Sequence, residues 1–423
     1  MKYYSTRNKN EAVAFSRAVL NGIAPDGGLY IPGSFPVLNH SVTSSLLKME
    51  FFDLAFEIIK PYVKEEIPDA VLQDIIHSAF NFPAPLAEVE KGFHILELFH
   101  GPTAAFKDFG ARFMARVFSY LRRSESKPLR IIVATSGDTG GAVADGFFDL
   151  EGVYVTVLYP KGRISPLQEK QIAGLGGNIS AIAVEGGFDE CQALAKEAFV
   201  TTELKRRMEL SSANSINIAR LLPQIVYYGS GSVKKPHSVF CVPSGNFGNL
   251  TAGLYGQKMG LPVKRFIAAT NINKTFVDYI KTGSYSPKKS VQTISTAMDV
   301  GAPSNFERIN AHWTHKEIVE KISAHFITDE ETLDAIKTVK ENYGYILDPH
   351  GAVGWAAAKR EELKNENVVI LETAHPSKFS GVVEPVTGPV PMPEALKQAL
   401  SRKISNLTIP PKFDALLDVL EKI

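Results

Sequence analysis

The stretch Arg130-Ile131-Ile132-Val133-Ala134-Thr135-Ser136-Gly137-Asp138-Thr139-Gly140-Gly141 changes character halfway along. Its first five residues read as a buried strand, the small and hydroxyl-bearing residues from 135 to 141 as a turn, and residues 142–148 continue helically. Residues 153–158 form the next apolar run, so the unit is strand, turn, helix, strand, a βαβ crossover of a parallel sheet. A second unit repeats that layout downstream, with a strand at 238–242, a turn at 243–247, a helix from Gly248 and a strand at 265–270. The two turns share a pattern, Ser136-Gly137-Asp138-Thr139-Gly140 and Ser244-Gly245-Asn246-Phe247-Gly248, which predicts two α/β lobes facing each other across a cleft. The apolar run 368–371, followed by Glu372-Thr373-Ala374-His375-Pro376, brings a third loop toward that cleft.

Outside this region the pattern differs. Residues 1–85 read as a mainly helical domain: 11–20 and 51–63 carry apolar positions at three- and four-residue spacing, separated by the Gly/Pro-rich Ala24-Pro25-Asp26-Gly27-Gly28-Leu29. The two lobes then span 86–384, and 385–423 forms a Pro-rich connection with a C-terminal helical tail. A chain of 423 residues with 44% hydrophobic content can bury several cores. Its 46 Lys and Arg against 45 Asp and Glu offer no basic stripe for nucleic acid, which points to a small-molecule ligand. Cys191 and Cys241 lack the paired spacing of a zinc or redox motif and read as buried thiols of a reducing compartment. With no apolar run of membrane length and no signal-peptide pattern at the start, the expected location is the cytoplasm.

Three segments carry candidate chemistry. In His100-Gly101-Pro102-Thr103-Ala104-Ala105-Phe106-Lys107-Asp108-Phe109-Gly110 a lysine sits between aromatic and small residues. Desolvated there, it would favour the neutral amine that Schiff-base chemistry requires; exposed, it would pair with Asp108, and the segment alone leaves both open. The loop Ser244-Gly245-Asn246-Phe247-Gly248-Asn249 joins a strand to a helix, where backbone N–H groups form an anion site suited to a phosphate, unless its glycines serve the turn alone. It has neither a P-loop ending nor a G-x-G-x-x-G, which disfavours nucleotides. Thr135 to Gly141 has hydroxyls for a second anion, and Asn214-Ser215-Ile216-Asn217-Ile218-Ala219-Arg220 adds amides and a guanidinium, the alternatives being a structural turn and a surface ion pair. His312-Trp313-Thr314-His315 spaces two histidines by three, yet no further ligand cluster accompanies them; they read as helix-surface residues and no metal is expected.

Taken together with Tyr4-Ser5-Thr6-Arg7, the stretch 24–30 and the run 372–379, these segments resemble the long-chain bacterial and fungal threonine synthases over essentially the whole chain. The resemblance implies the second fold type of pyridoxal-phosphate enzymes, shared with tryptophan synthase β-chains. Lys107 matches the Schiff-base lysine, Gly245, Asn246, Phe247, Gly248 and Asn249 match the loop holding the cofactor phosphate, and Thr373 matches the hydroxyl facing the pyridine nitrogen. Asp138 falls where many relatives place an asparagine near the cofactor's phenolic oxygen. Ser136, Thr139, Asn214 and Arg220 match positions that grip the substrate's phosphate and carboxylate.

The implied reaction is a pyridoxal 5'-phosphate-dependent γ-elimination of phosphate from O-phospho-L-homoserine and β-addition of water to give L-threonine, by a monomer with no nucleic-acid or membrane partner. A phospho-lyase releasing 2-oxobutyrate, phosphate and ammonia from the same substrate is the nearest rival, because the early steps are shared. From another class, a catalytically silent binding protein would keep the lobes without taking up the cofactor.

Overall fold

The computed structural model describes residues 1–38, 45–46, 49–125 and 127–422. In chain order its strands are β1 (Tyr3–Ser5), β2 (Tyr30–Pro32), β3 (Leu86–Glu90), β4 (Phe93–Glu97), β5 (Leu129–Ala134), β6 (Val153–Pro160), β7 (Ile179–Val184), β8 (Glu209–Ser211), β9 (Ser238–Pro243), β10 (Val263–Thr270), β11 (Ile322–Phe326), β12 (Val368–Glu372) and β13 (Leu407–Ile409). They form two larger sheets, β13-β7-β6-β5-β8 and β11-β10-β9-β12-β4-β3, and a separate β1-β2 pair. The five-stranded sheet is parallel throughout; the six-stranded one is parallel except for the β3–β4 pairing. All six residues of β5 and all six of β9 are buried, as expected of strands covered by helices on both faces. The two βαβ units read from the sequence thus fall in different sheets, one per lobe.

The segments that matter for function leave the carboxyl ends of parallel strands: 98–107 after β4, the 135–137 turn after β5, the 244–247 turn after β9 and Thr373 after β12. The helix Lys107–Arg122 turns Phe109, Phe113, Met114, Val117 and Phe118 into the core and packs on the helix Asp138–Phe147. Its apolar residues belong to one cluster that also takes in Tyr3 and Tyr62 from the N-terminal segment, Val157 from one lobe and Phe266 from the other. The helix Phe51–Val63 joins it through Leu54, Ile58, Ile59 and Tyr62, spaced to share one face, and the Tyr3 hydroxyl donates to the Tyr62 carbonyl at 3.0 Å. One continuous core therefore backs the cleft from three sides.

Several expectations are corrected. The helix anticipated over 11–20 begins only at Phe15 (Phe15–Asn21), because Val13 and Tyr3 exchange backbone hydrogen bonds of 2.8 and 2.9 Å that hold the preceding residues extended. The helix after the first turn starts earlier than residue 142, at Asp138. The C-terminal tail is not simply helical: β13 pairs in parallel with β7 and closes an edge of the five-stranded sheet, and the helix Phe413–Leu420 then buries Leu416 and Leu420 on that lobe. His312 and His315 share no helix surface. His312 ends the helix Phe306–His312, half-buried against Phe35 and Tyr255, whereas His315 starts the helix His315–Lys321 beyond a capping box made by Thr314 and Glu317.

Gly110 lets the helix Lys107–Arg122 pack directly against Arg220. A Cβ there would stand 2.7 Å from the Arg220 carbonyl oxygen and 2.9 Å from its Nε. Gly110→Ala is expected to cost about 1–3 kcal/mol, since the close neighbour is backbone that cannot swing aside. Urea unfolding of the variant checks this, and an unchanged midpoint with unchanged slope would refute it.

Candidate active site

Lys107 is the first residue of its helix, so its amine stands at the positive end of the helix dipole, an unfavourable place for an ammonium. The backbone before it is locked to the end of β12: the Phe106 N–H donates to the Thr373 carbonyl at 2.8 Å, the His375 N–H donates to the Ala104 carbonyl at 3.0 Å, and Ala105 and Ala374 form an isolated antiparallel bridge. Lys107 and Thr373 are brought together by the main chain itself.

The amine does not pair with Asp108, whose carboxylate instead accepts from the Thr103 N–H at 2.9 Å and the Thr103 hydroxyl at 2.5 Å. It faces Asp138, with Nζ 3.4 Å from Oδ2, and lies 5.0 Å from the Phe106 ring centroid. Burial pushes the Lys107 amine below the ordinary lysine range; Asp138 opposes that, while the positive charges of Lys378 and Arg220 add to it. Asp138 itself is buried, which alone would raise its carboxyl, but Lys378 and Lys107 outweigh burial and hold it well below the usual range. Lys378 places Nζ 2.8 Å from Asp138 Oδ1 and donates to the Thr103 carbonyl at 2.8 Å, and Gln168 Nε2 donates to the same Oδ1 at 3.0 Å.

The turn that presents Asp138 is stapled by Thr135, whose hydroxyl oxygen accepts from the N–H groups of Gly137 at 2.9 Å and Gly140 at 2.8 Å. Gly137 has φ +134°, and a Cβ there would meet Gln168 Cδ at 2.4 Å, so only glycine lets the turn lie against that side chain. Across the cleft, Phe247 takes a left-handed φ of 59° and turns the chain into the helix Gly248–Met259. The N–H groups of Gly245, Asn246, Phe247 and Gly248 find no acceptor among the described residues. The Asn246 side chain is engaged, donating to the Ser215 hydroxyl at 2.7 Å and accepting from the Ser304 N–H at 2.5 Å. Asn249 is oriented by the Tyr227 and Tyr228 hydroxyls, which donate to its Oδ1 at 2.8 and 2.7 Å and leave Nδ2 buried and unpartnered.

These groups open on one cavity of about 510 Å³, lined by Lys107, Ser136 and Thr139, by Asn214 and Arg220, by Ser244 through Asn249, and by Thr373. Asp138 is reached through Lys107. Arg220 is buried, which lowers its guanidinium to about 10; its Nη1 donates to the Ala213 carbonyl at 2.5 Å, and its Nε, like Asn214 Oδ1, has no partner among the described residues. Buried polar atoms left unpaired are costly and seldom accidental in such numbers around one cavity. The twelve residues singled out in the sequence thus converge.

Other residues here were not singled out. Lys378 lies within the motif 372–379 yet reads there as an ordinary surface lysine, and nothing local shows that it is only 2% exposed. His350 lines the cavity, its Nδ1 2.6 Å from Asp348 Oδ1; Asp348 also caps the helix Pro349–Lys359, an Asp-Pro start that could have flagged it. Exposed Lys196, Lys288 and Lys289 line the cavity as well.

Comparison with known proteins agrees along the length of the chain. The family model for "Pyridoxal-phosphate dependent enzyme" matches residues 82–374, "Threonine synthase N terminus" matches 2–80, and "Threonine synthase, C-terminal" matches 351–419. The chain is 43% identical over 422 residues to threonine synthase of Escherichia coli (strain K12), covering 98% of each. The crystal structure of the Escherichia coli enzyme superposes with a TM-score of 0.94 at 42% identity over 100% of both chains. The pyridoxal-phosphate-bound threonine synthase of Brucella melitensis superposes with a TM-score of 0.93 at 34% identity, covering 100% of this chain and 99% of that one.

Burial raises the Asp108 carboxyl from 3.8 to about 6 despite its two bonds from Thr103. A carboxyl whose folded value lies above its unfolded one stabilises the fold fully below the unfolded value and loses that contribution as pH rises through the folded value. Wild-type stability should therefore fall between about pH 4 and 6 from this group, and Asp108→Asn should remove the fall, gaining on wild type as pH rises. Urea midpoints of both proteins at pH 4 and pH 7 test it; an equal difference at the two pH values would falsify the assignment.

Proposed function

The chain belongs to the threonine synthase family of pyridoxal-phosphate-dependent lyases, and on that premise we propose that it converts O-phospho-L-homoserine and water into L-threonine and phosphate, with Lys107 bearing the cofactor. The observation that carries this reading is a buried lysine whose burial works against its charged form, on the lining of one cavity with three residues that each bury a polar atom without a partner among the described residues: Asn214 Oδ1, Arg220 Nε and Asn249 Nδ2.

The residues fit pyridoxal phosphate. The unpaired N–H groups of Gly245 to Gly248 at a helix N-terminus, with Asn249 Nδ2 behind them, would hold a phosphate. Lys107 is available for the covalent bond, and the Thr373 hydroxyl, brought beside it by the Ala105–Ala374 bridge, would serve the ring nitrogen. Once bound, the cofactor supplies an electron sink for charge developing on the substrate carbons.

The chain's own residues do the rest. Ser136, Thr139, Asn214 and Arg220 would take the substrate's phosphate and carboxylate, Arg220 with its guanidinium. Displaced by the substrate amine, the Lys107 amine would accept the Cα proton and later return it, a task that needs the neutral base favoured here. A second proton would leave Cβ as phosphate departs from Cγ, a proton would be gained at Cγ to make the methyl group, and water would add its oxygen at Cβ, so that the two protons taken from Cα and Cβ are matched by the two returned to Cγ and Cα. Held against Arg220, the departed phosphate would take the proton of that water. The cavity is of a size to enclose a small molecule. No described helix is long and apolar enough to cross a membrane.

Lys107→Ala is expected to abolish threonine formation from O-phospho-L-homoserine, by at least a thousandfold in kcat; full threonine formation by the variant would end the reading. Arg220→Ala is expected to lower threonine formation more than formation of 2-oxobutyrate, because only the former needs the retained phosphate. Mass spectrometry of both products decides it, and equal losses would count against phosphate as the base.

A further inference from the structure

Two lysines reach one carboxylate, and the reaction just described uses only one of them. Oδ1 of Asp138 is fully engaged, by Lys378 Nζ at 2.8 Å and Gln168 Nε2 at 3.0 Å, so Oδ2 alone is left to Lys107, at the longer distance of 3.4 Å. Lys378 is pinned in turn: its side chain is wholly buried and it donates to the Thr103 carbonyl, which also accepts from Gln171 Nε2 at 3.1 Å. It stands in the short 3-10 turn Pro376–Phe379 beyond β12, whereas Asp138 opens a helix of the other lobe.

We propose that Lys378 is a positioning residue for the reaction: by occupying Oδ1 of Asp138 it compensates that carboxylate in advance, so that Lys107 meets an ion pair rather than a bare anion and its amine is less firmly held in the ammonium form. A carboxylate this close and without another counter-charge would stabilise the ammonium form of Lys107 and withdraw the base. The balance involves few groups. Lys107 is faced by Asp138, Lys378 and Arg220; Asp138 by Lys378, Lys107 and His350; Lys378 by Asp138, Asp108 and His375. Within that set Lys378 is the cation in contact with Asp138 that takes no part in the chemistry, which frees it for a constant electrostatic role.

The inference rests on Lys107 as the residue that bears the cofactor, and the test separates the two. The visible absorption of the bound cofactor is titrated with pH in the holoenzyme for wild type, Lys107→Ala, Lys378→Met, Asp138→Asn and the double variant. A band unchanged in Lys107→Ala removes the basis of both readings. Given its loss there, Lys378→Met should raise the titration midpoint by about one pH unit or more, because it leaves the carboxylate unpaired beside Lys107. Asp138→Asn should lower the midpoint, because it leaves the Lys378 cation unpaired, and the double variant should return toward wild type. A lysine with a merely structural task would not give shifts of opposite sign. If Lys378→Met fails to fold, Asp138→Asn and the double variant, neither of which buries a lone carboxylate, still decide. A midpoint that does not fall in Asp138→Asn, or a double variant no nearer wild type than Asp138→Asn is, overturns the proposal.

Discussion

A carboxylate withdrawn from water must be compensated where it stands, and much of the site follows from how Asp138 meets that demand. Its compensation comes from both lobes. The turn after β5 and the Gln168 amide belong to the five-stranded lobe, while Lys378 follows β12 of the six-stranded one. The ion pair therefore joins the lobes at the depth of the cavity. Replacing such a pair with apolar groups can be tolerated, but removing one partner strands the other in a medium that cannot solvate it. Any movement of one lobe over the other has to leave this contact intact, so closure on a ligand would involve the outer rim, where Lys196 and Lys289 stand, more than the floor.

Around that fixed point the parallel sheets act as a jig. The carboxyl ends of β4, β5, β9 and β12 face the cleft and deliver loops there, and the helices that begin at Lys107, Asp138 and Gly248 start beside the cavity with their positive ends. Two helix starts are put to different uses. At Gly248 the free N–H groups suit an anion, whereas at Lys107 the same dipole discourages an ammonium. The bridge between Ala105 and Ala374 transfers precision from β12 to the lysine, since a two-bond backbone link holds position better than side-chain packing would.

The sequence was most legible where chemistry and local conformation coincide. Gly137, Gly245 and Gly248 mark tight strand-to-helix turns, and the buried strands β5 and β9 hold the apolar runs 131–134 and 239–243, so the two lobes and the loops lining the cleft could be read directly. Partnership across the chain could not. Lys107 adjoins Asp108 in sequence, yet its carboxylate is Asp138, because Thr103 has already claimed Asp108. Lys378 looks solvated in a Pro-Ser-Lys-Phe string, and only the return of β12 beside β9 and β4 carries it inside. Short extended pieces were missed for a related reason: the Val13 bridge and the three residues of β13 have no period of their own and exist only through partners such as Tyr3 and β7.

The placement of β13 bears on the order in which the molecule can be completed. Strands β5 to β8 lie within one central span, but the strand that covers the outer side of β7 comes from close to the other end of the polypeptide. During synthesis the lobe that presents Asp138 therefore waits with an open parallel edge, a template for unwanted pairing, while β9 to β12 of the second lobe emerge. Residues 407–409 seal that edge, so a chain halted before them displays a sticky border that β13 otherwise hides.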